Sequence, residues 1–173
     1  MSTSRTRLLA YGGLCIALAQ ILSMIKLYEM PQGGTITPGS MVPILLFAIL
    51  FGPKEGVGLG VLYGVFQLLL GGKFFHPASM VLDYPLAFGL LGLAGVAQKE
   101  RLSSIAAGTL LGCFGRFLAH FVSGWLVFGS YAPEGVSPLV YSLTYNASYM
   151  IPETIISIVL LAILVPRLKD VIR

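Results

Sequence analysis

Charged residues are scarce in this chain. Asp, Glu, Lys and Arg make up 10% of 173 residues, against about 25% in soluble globular domains. That scarcity excludes an ordinary water-soluble fold. Cysteine is nearly absent too. Cys15 and Cys113 lie in apolar stretches with no partner at metal-ligand spacing, which argues against a disulfide framework or a metal centre. There is no H-E-x-x-H pair, no G-x-S-x-G elbow and no Ser/His/Asp set at plausible depth, so nothing points to an enzyme. No cofactor-binding signature is present either. The net charge of +4 is no nucleic-acid signal, because the basic residues sit at the ends of apolar segments. The alternation of a membrane β-barrel is missing. So is any repeat between the two halves, which removes support for an inverted-repeat transporter.

What the chain has is apolar sequence. Hydrophobic residues make up 56% and mean hydropathy is +0.87. At roughly 20 residues per crossing, there is room for about six spans with short loops. Breaks at charged and Pro/Gly-rich positions place them at approximately 8–25, 39–52, 56–72, 79–97, 103–129 and 138–165, all within one domain, 1–173. The expected fold is an all-α integral membrane protein, a compact bundle of six transmembrane helices in the lipid bilayer. If the N-terminus is cytoplasmic, Arg5, Arg7, Lys54, Lys99, Arg101, Arg167, Lys169 and Arg173 share the inner side, and Lys26 and Lys73 the outer. This positive-inside bias puts both termini in the cytoplasm. Arg5 and Arg7 followed by an apolar run and Ala17-Leu18-Ala19 also look like a signal peptide. However, the run continues through Ile25, and removing it would leave an odd number of spans.

Gly52, Gly56, Gly60 and Gly64 recur every four residues, as do Gly108 and Gly112. Such spacing stacks small residues on one helix face and lets a neighbouring backbone approach. Gly13 and Ala17 make a similar face on span one, suited either to internal packing or to docking of another membrane protein. Pro152 predicts a kink or break in span six. The first loop, "KLYEMPQGGTITPGS", is too rich in Pro and Gly for a plain helix turn, and reads as an ordered outer lid or a flexible connection.

The remaining signal is ionisable and polar groups inside spans. A charge there costs roughly 2.5 to 3.5 kcal/mol on insertion scales and is a functional hypothesis by default. Asp83, Arg116, His120 and Glu153 qualify, with Tyr84, Tyr141, Tyr145, Asn146 and Tyr149 alongside. In "RFLAHFVSGW", Arg116 and His120 share a face at a spacing of four, with Phe128 two turns further and Trp125 to one side. With a cytoplasmic N-terminus, Asp83-Tyr84, His120 and Tyr141 to Asn146 converge at one depth near the outer surface. A carboxylate among aromatic rings suits a flat cationic ligand. The structural alternative is that Arg116 pairs with Asp83 or Glu153 and simply locks helices together. His76 reads as a loop residue.

Four stretches, "YEMPQGGTITPGSMVPILLFAILFGPKEG", "LDYPLAFGLLGLAG", "GRFLAHFVSG" and "YAPEGVSPLVYSLTYNASYMIPE", resemble the thiamine-specific substrate-binding subunit (S component) of energy-coupling-factor (ECF) vitamin transporters. The resemblance runs end to end. It implies a six-helix subunit of the cell membrane that takes extracellular thiamine into an outward-facing pocket with high affinity. It also implies an ECF transmembrane coupling subunit and two cytoplasmic ATPase subunits as partners, with delivery by toppling of the S component. By motif, the resemblance implies that Asp83 faces the thiazolium charge, that Tyr84 hydrogen-bonds or packs against the ligand and that His120 is the pocket histidine. Arg116 matches a basic position, and Phe128 stands where some members stack a tryptophan. Tyr141 and Asn146 hold the aminopyrimidine, and Gly13 and Ala17 dock on the coupling subunit. Two departures matter: Gly34 stands where some relatives carry tryptophan, and Asp83 replaces a longer Glu. Stacking then falls to Phe128, Trp125 or a tyrosine.

Two other readings stay open at this point. One is an S component for another vitamin or a thiamine precursor. The other is a stand-alone proton-coupled carrier using Asp83, Glu153 and His120 as a relay.

Overall fold

The structure, a computed structural model, describes residues 5–72 and 76–170. Lys73 and Arg173, both used in the charge count above, lie outside the described residues. Among the described residues the chain forms six helices: α1 Arg5–Met24, α2 Val42–Phe51, α3 Pro53–Gly71, α4 Pro77–Val96, α5 Leu102–Leu126 and α6 Pro138–Leu168. Four of them, α1, α4, α5 and α6, are long and apolar enough to cross a membrane. A short antiparallel hairpin, β1 Tyr28–Glu29 with β2 Thr35–Ile36, occupies the first loop.

The central element is the shortest. In α2, "VPILLFAILF", seven of ten residues are buried, as expected of a helix that is apolar all round. At 1.5 Å per residue it is about 15 Å long, half the thickness of a bilayer's hydrocarbon core. Gly52, with φ +110°, alone joins it to α3. The chain ahead of Val42 is the hairpin loop.

Close packing of α3 on α4 follows from the glycines. An added Cβ would stand 3.0 Å from Gly89 Cα at Gly60, and 2.5 Å from the Tyr84 carbonyl oxygen at Gly64. Gly52 is a cap and not part of that helix face. On α5, Gly108 and Gly112 lie against Ala94 and Leu91 of α4. By contrast, a Cβ at Gly13 would meet nothing within 4 Å, and Ala17 is exposed. The face of α1 turned into the bundle is instead Gly12 and Ala19.

Proline acts differently in two helices. Pro152 lies within α6, which runs unbroken from Pro138 to Leu168, so the break allowed by the sequence does not occur. Within α4, Pro85 sits in a π-helical turn over Leu82–Leu86, where the Ala87 N–H bonds to the Leu82 carbonyl five residues back. Pro85 has no N–H to give to the ordinary ladder, and the wider turn absorbs the defect. α5 ends at Leu126, short of the expected 129, so Phe128 lies past the helix terminus. Both cysteines are free thiols.

Candidate functional site

A cavity of about 370 Å³ opens at one end of the bundle. It is bounded by the end of α3 (Tyr63, Gln67), the start of α4 (Asp83, Tyr84), the far half of α5 and the start of α6, with the hairpin loop across it. The opposite end of the bundle carries Lys54, Lys99 and Arg101: Gly95 at the close of α4 lies against Pro53. The volume is within the usual 300–1,000 Å³ of small-molecule sites.

The π-turn sets Asp83 toward α5. There the His120 Nδ1–H donates to Asp83 Oδ1 at 2.9 Å, and the Ser123 hydroxyl donates to Oδ2 at 2.7 Å. A carboxylate only accepts, which puts a proton on Nδ1; in the neutral ring His120 Nε2 is then an acceptor. That atom is buried and has no protein partner. Across the cavity, Tyr141, Tyr145 and Tyr149 follow one another at four-residue spacing on α6, successive ring centroids 5.9 Å apart. His120 adds a fourth ring, 6.2 Å from Tyr149. One face of the cavity is thus an aromatic wall and the other presents a carboxylate. Such a pair receives a flat cation by charge and by ring quadrupole.

Asn146 is 4% exposed and braces the wall. Its Nδ2 donates to the Ser142 carbonyl at 2.8 Å, while its Oδ1 accepts from the Tyr149 hydroxyl at 2.7 Å. The hairpin loop is fastened to the same helix. The Gly34 N–H donates to the Tyr145 hydroxyl at 3.0 Å. Thr37 donates from its backbone N–H to Glu153 Oε1, and from its hydroxyl to the same oxygen at 2.8 Å.

Of the residues singled out in the sequence, Asp83, Tyr84, Arg116, His120, Phe128, Tyr141, Tyr145, Asn146 and Gly34 all border this cavity. Glu153 borders a smaller chamber beside it. Trp125 does not border it; its side is turned outward, 45% exposed. The ion pair offered for Arg116 is not formed. Asp83 is held by His120 and Ser123, and Arg116 forms no ion pair with Asp83 or with Glu153. Asp83 is held by α5 and one oxygen of Glu153 by Thr37, and Arg116 lies over the Phe88 ring, 3.9 Å from its centroid. The position of Gly34 is explained by its neighbours, since a Cβ there would stand 2.6 Å from the Tyr149 ring. The tyrosine wall fills the space a tryptophan side chain would need. His76 caps α4 by accepting from the Ala78 N–H at 3.1 Å.

Sequence reasoning missed Ser123, Ser142, Thr37 and the Tyr63–Gln67–Ser23 chain of hydrogen bonds. Small hydroxyls are commonplace in membrane helices, and their partners lie 21 to 116 residues away.

Taken together, the helices and the cavity define a multi-pass membrane protein with a polar, aromatic-walled cavity at one end. The chain belongs to the thiamine transporter protein family, which it matches over residues 9–173. It is 37% identical over 170 residues to the thiamine transporter ThiT of Bacillus subtilis (strain 168), covering 88% of each chain. It is 31% identical over 140 residues to ThiT of Lacticaseibacillus paracasei, covering 72% of this chain and 70% of that one. Two solved structures share the fold. ThiT from Listeria monocytogenes superposes with a TM-score of 0.87 at 23% identity, over 97% of this chain and 98% of the other. The S component of a bacterial ECF transporter gives 0.59 at 21% identity, over 96% and 95%.

Proposed function

We propose that this protein is the thiamine-binding S component of an ECF-type uptake transporter, taking the vitamin from the outer face of the cell membrane. The observation that carries the reading is the opposition of the Asp83–His120–Ser123 cluster to the tyrosine wall of α6, inside a chain of the thiamine transporter family. Thiamine is a flat cation with a second, hydrogen-bonding ring, and those two faces suit it. In this reading the thiazolium sits on Asp83 and Tyr84, with Phe128 at the mouth. The aminopyrimidine lies along Tyr141 and Tyr145, with the second lone pair of Asn146 Oδ1 within the same wall.

Orientation is supported by the positive-inside rule. Lys54, Lys99 and Arg101 lie at the end of the bundle away from the cavity, so the cavity opens outward when that end is cytoplasmic. The bare Gly13 and exposed Ala17 on α1 supply a flat strip on which a membrane coupling subunit packs closely. ATP hydrolysis belongs to two cytoplasmic ATPases bound to that subunit.

The test is calorimetric titration of the detergent-purified protein with thiamine. Because Trp125 faces away from the cavity, heat is the readout and not its fluorescence. Saturable nanomolar binding, weakened by His120→Ala, is the expected result. Silence with thiamine but heat with a precursor or another vitamin overturns the substrate. No binding of any such compound overturns the reading.

A further inference from the structure

Beside the main cavity lies a chamber of about 110 Å³, bordered by Arg116, His120, Glu153, Ser40, Met41 and Met150. Three side chains fall short of partners around it. Arg116 Nε and Nη1, His120 Nε2 and Glu153 Oε2 are all buried without a hydrogen bond. Glu153 is 3% exposed, and its other oxygen is taken by Thr37. Leaving such groups bare is costly, more so for charged ones, and points to an occupant absent from the protein atoms. Gly34, Arg116, His120 and Tyr149 border both spaces, so the chamber opens from the main cavity.

The chemistry of the occupant follows from the orphans. A phosphate or carboxylate would meet Arg116 but face the bare carboxylate of Glu153. An ammonium would meet Glu153 but face the guanidinium. A hydroxyl does both, accepting from Arg116 N–H and donating to Glu153 Oε2. Met41 and Met150, 2% and 3% exposed, give apolar sides for a short carbon arm. One water has a share of about 30 Å³ in the liquid, so the chamber has room for more than a single water.

We infer that this chamber is a subsite for a neutral alcohol, and that Arg116 and Glu153 select the hydroxyethyl arm of the bound thiamine. The inference rests on the thiamine reading above. With the thiazolium on Asp83, whose partner His120 stands at the junction, the arm turns inward between Arg116 and Glu153. The alcohol oxygen then joins two charged groups that the fold keeps from pairing.

The experiment compares thiamine with its deoxy analogue, ethyl in place of hydroxyethyl, by calorimetry on the wild type and on Arg116→Met, Arg116→Lys and Glu153→Gln. The wild type is expected to prefer thiamine by about 10- to 100-fold, the range for a hydrogen bond to charged groups. In Arg116→Met the preference falls below about 3-fold, because the donors to the alcohol are gone. Arg116→Lys is the milder variant if the first does not fold, and it should lose part of the preference. Glu153→Gln turns an acceptor into a donor and lowers the preference as well. Binding of both compounds within about 2-fold by the wild type overturns the subsite while leaving the thiamine reading intact. A wild-type preference unchanged in every folded variant also overturns it, since the alcohol is then read elsewhere. Failure to bind either compound overturns the thiamine reading, and the subsite with it.

Discussion

Replacing Asp83 by Asn tests the charge side of the pocket with little change of shape. The amide oxygen still accepts from His120 Nδ1, which lies at 2.9 Å, and the Ser123 hydroxyl can turn to accept from the new NH2. What disappears is one negative charge opposite the ligand's positive ring. Two unit charges about 4 Å apart at an effective dielectric of 20 interact by about 4 kcal/mol. The Asp83 side chain retains 20% exposure, and the amide dipole recovers part of the attraction. About 2 kcal/mol is then the expected loss, roughly a 30-fold rise in Kd. The assay is calorimetry with thiamine and with an analogue whose thiazolium is replaced by an uncharged ring. Asp83→Asn should weaken thiamine by that factor and the neutral analogue by less than about 3-fold. The unfolding temperature should move little. Equal losses for both ligands, or no loss for either, would refute the charge-pairing argument and leave Asp83 as a brace for His120.

Two further outcomes follow from the packing. Gly64→Ala places a methyl 2.5 Å from the Tyr84 carbonyl oxygen and 2.7 Å from Pro85 Cα. A thermal melt should show the variant destabilised by about 1–3 kcal/mol, with weaker thiamine binding because the π-turn carrying Asp83 is displaced; an unchanged melt would mean that α3 and α4 part easily. Tyr145→Phe removes the acceptor of the Gly34 N–H at 3.0 Å, a bond contributing about 1 kcal/mol. Stopped-flow mixing should show faster dissociation, about 5-fold, with association nearly unchanged; equal rates would mean that the Thr37–Glu153 contact alone fixes the loop.

Asp83, Arg116 and His120 were legible in the sequence because a titratable group within an apolar run stands out against a simple physical expectation. Their mutual arrangement was not. Spacing along α5 joins Arg116 to His120, yet the structure separates their roles: His120 binds Asp83 while Arg116 lies on Phe88. Pairing by opposite charge alone predicted Arg116 with Asp83 or Glu153. Instead His120 and Ser123 take both oxygens of Asp83, Thr37 takes one oxygen of Glu153, and Arg116 lies on an aromatic ring. The π-turn left only one trace, Pro85 beside the acidic residue, and a proline inside an apolar run more simply suggests a kink. Phe128 and Trp125 differ by three residues, but α5 stops between them at Leu126. Helical periodicity therefore could not say which aromatic meets the cavity. The glycine stripe of α3 was legible as a close contact, although its partner helix was not.

The brevity of α2 has a consequence for how such a pocket can vary. Its first turn begins at Val42, with Thr37 to Met41 climbing away as irregular backbone. Irregular backbone at that depth is tolerated where it is buried in protein or lines a cavity. Glu153 answers it from a helix 116 residues distant in sequence, so an acceptor in mid-span serves the loop before any ligand is considered. Thr37 and Ser40, just ahead of that helix, border the cavity, and Met41 borders the chamber beside it. One added turn at the head of α2, about 5.4 Å, would draw those residues into the helix and take their side chains from the cavity wall. Chain length in a single short segment is thus a dial for which side chains line the cavity.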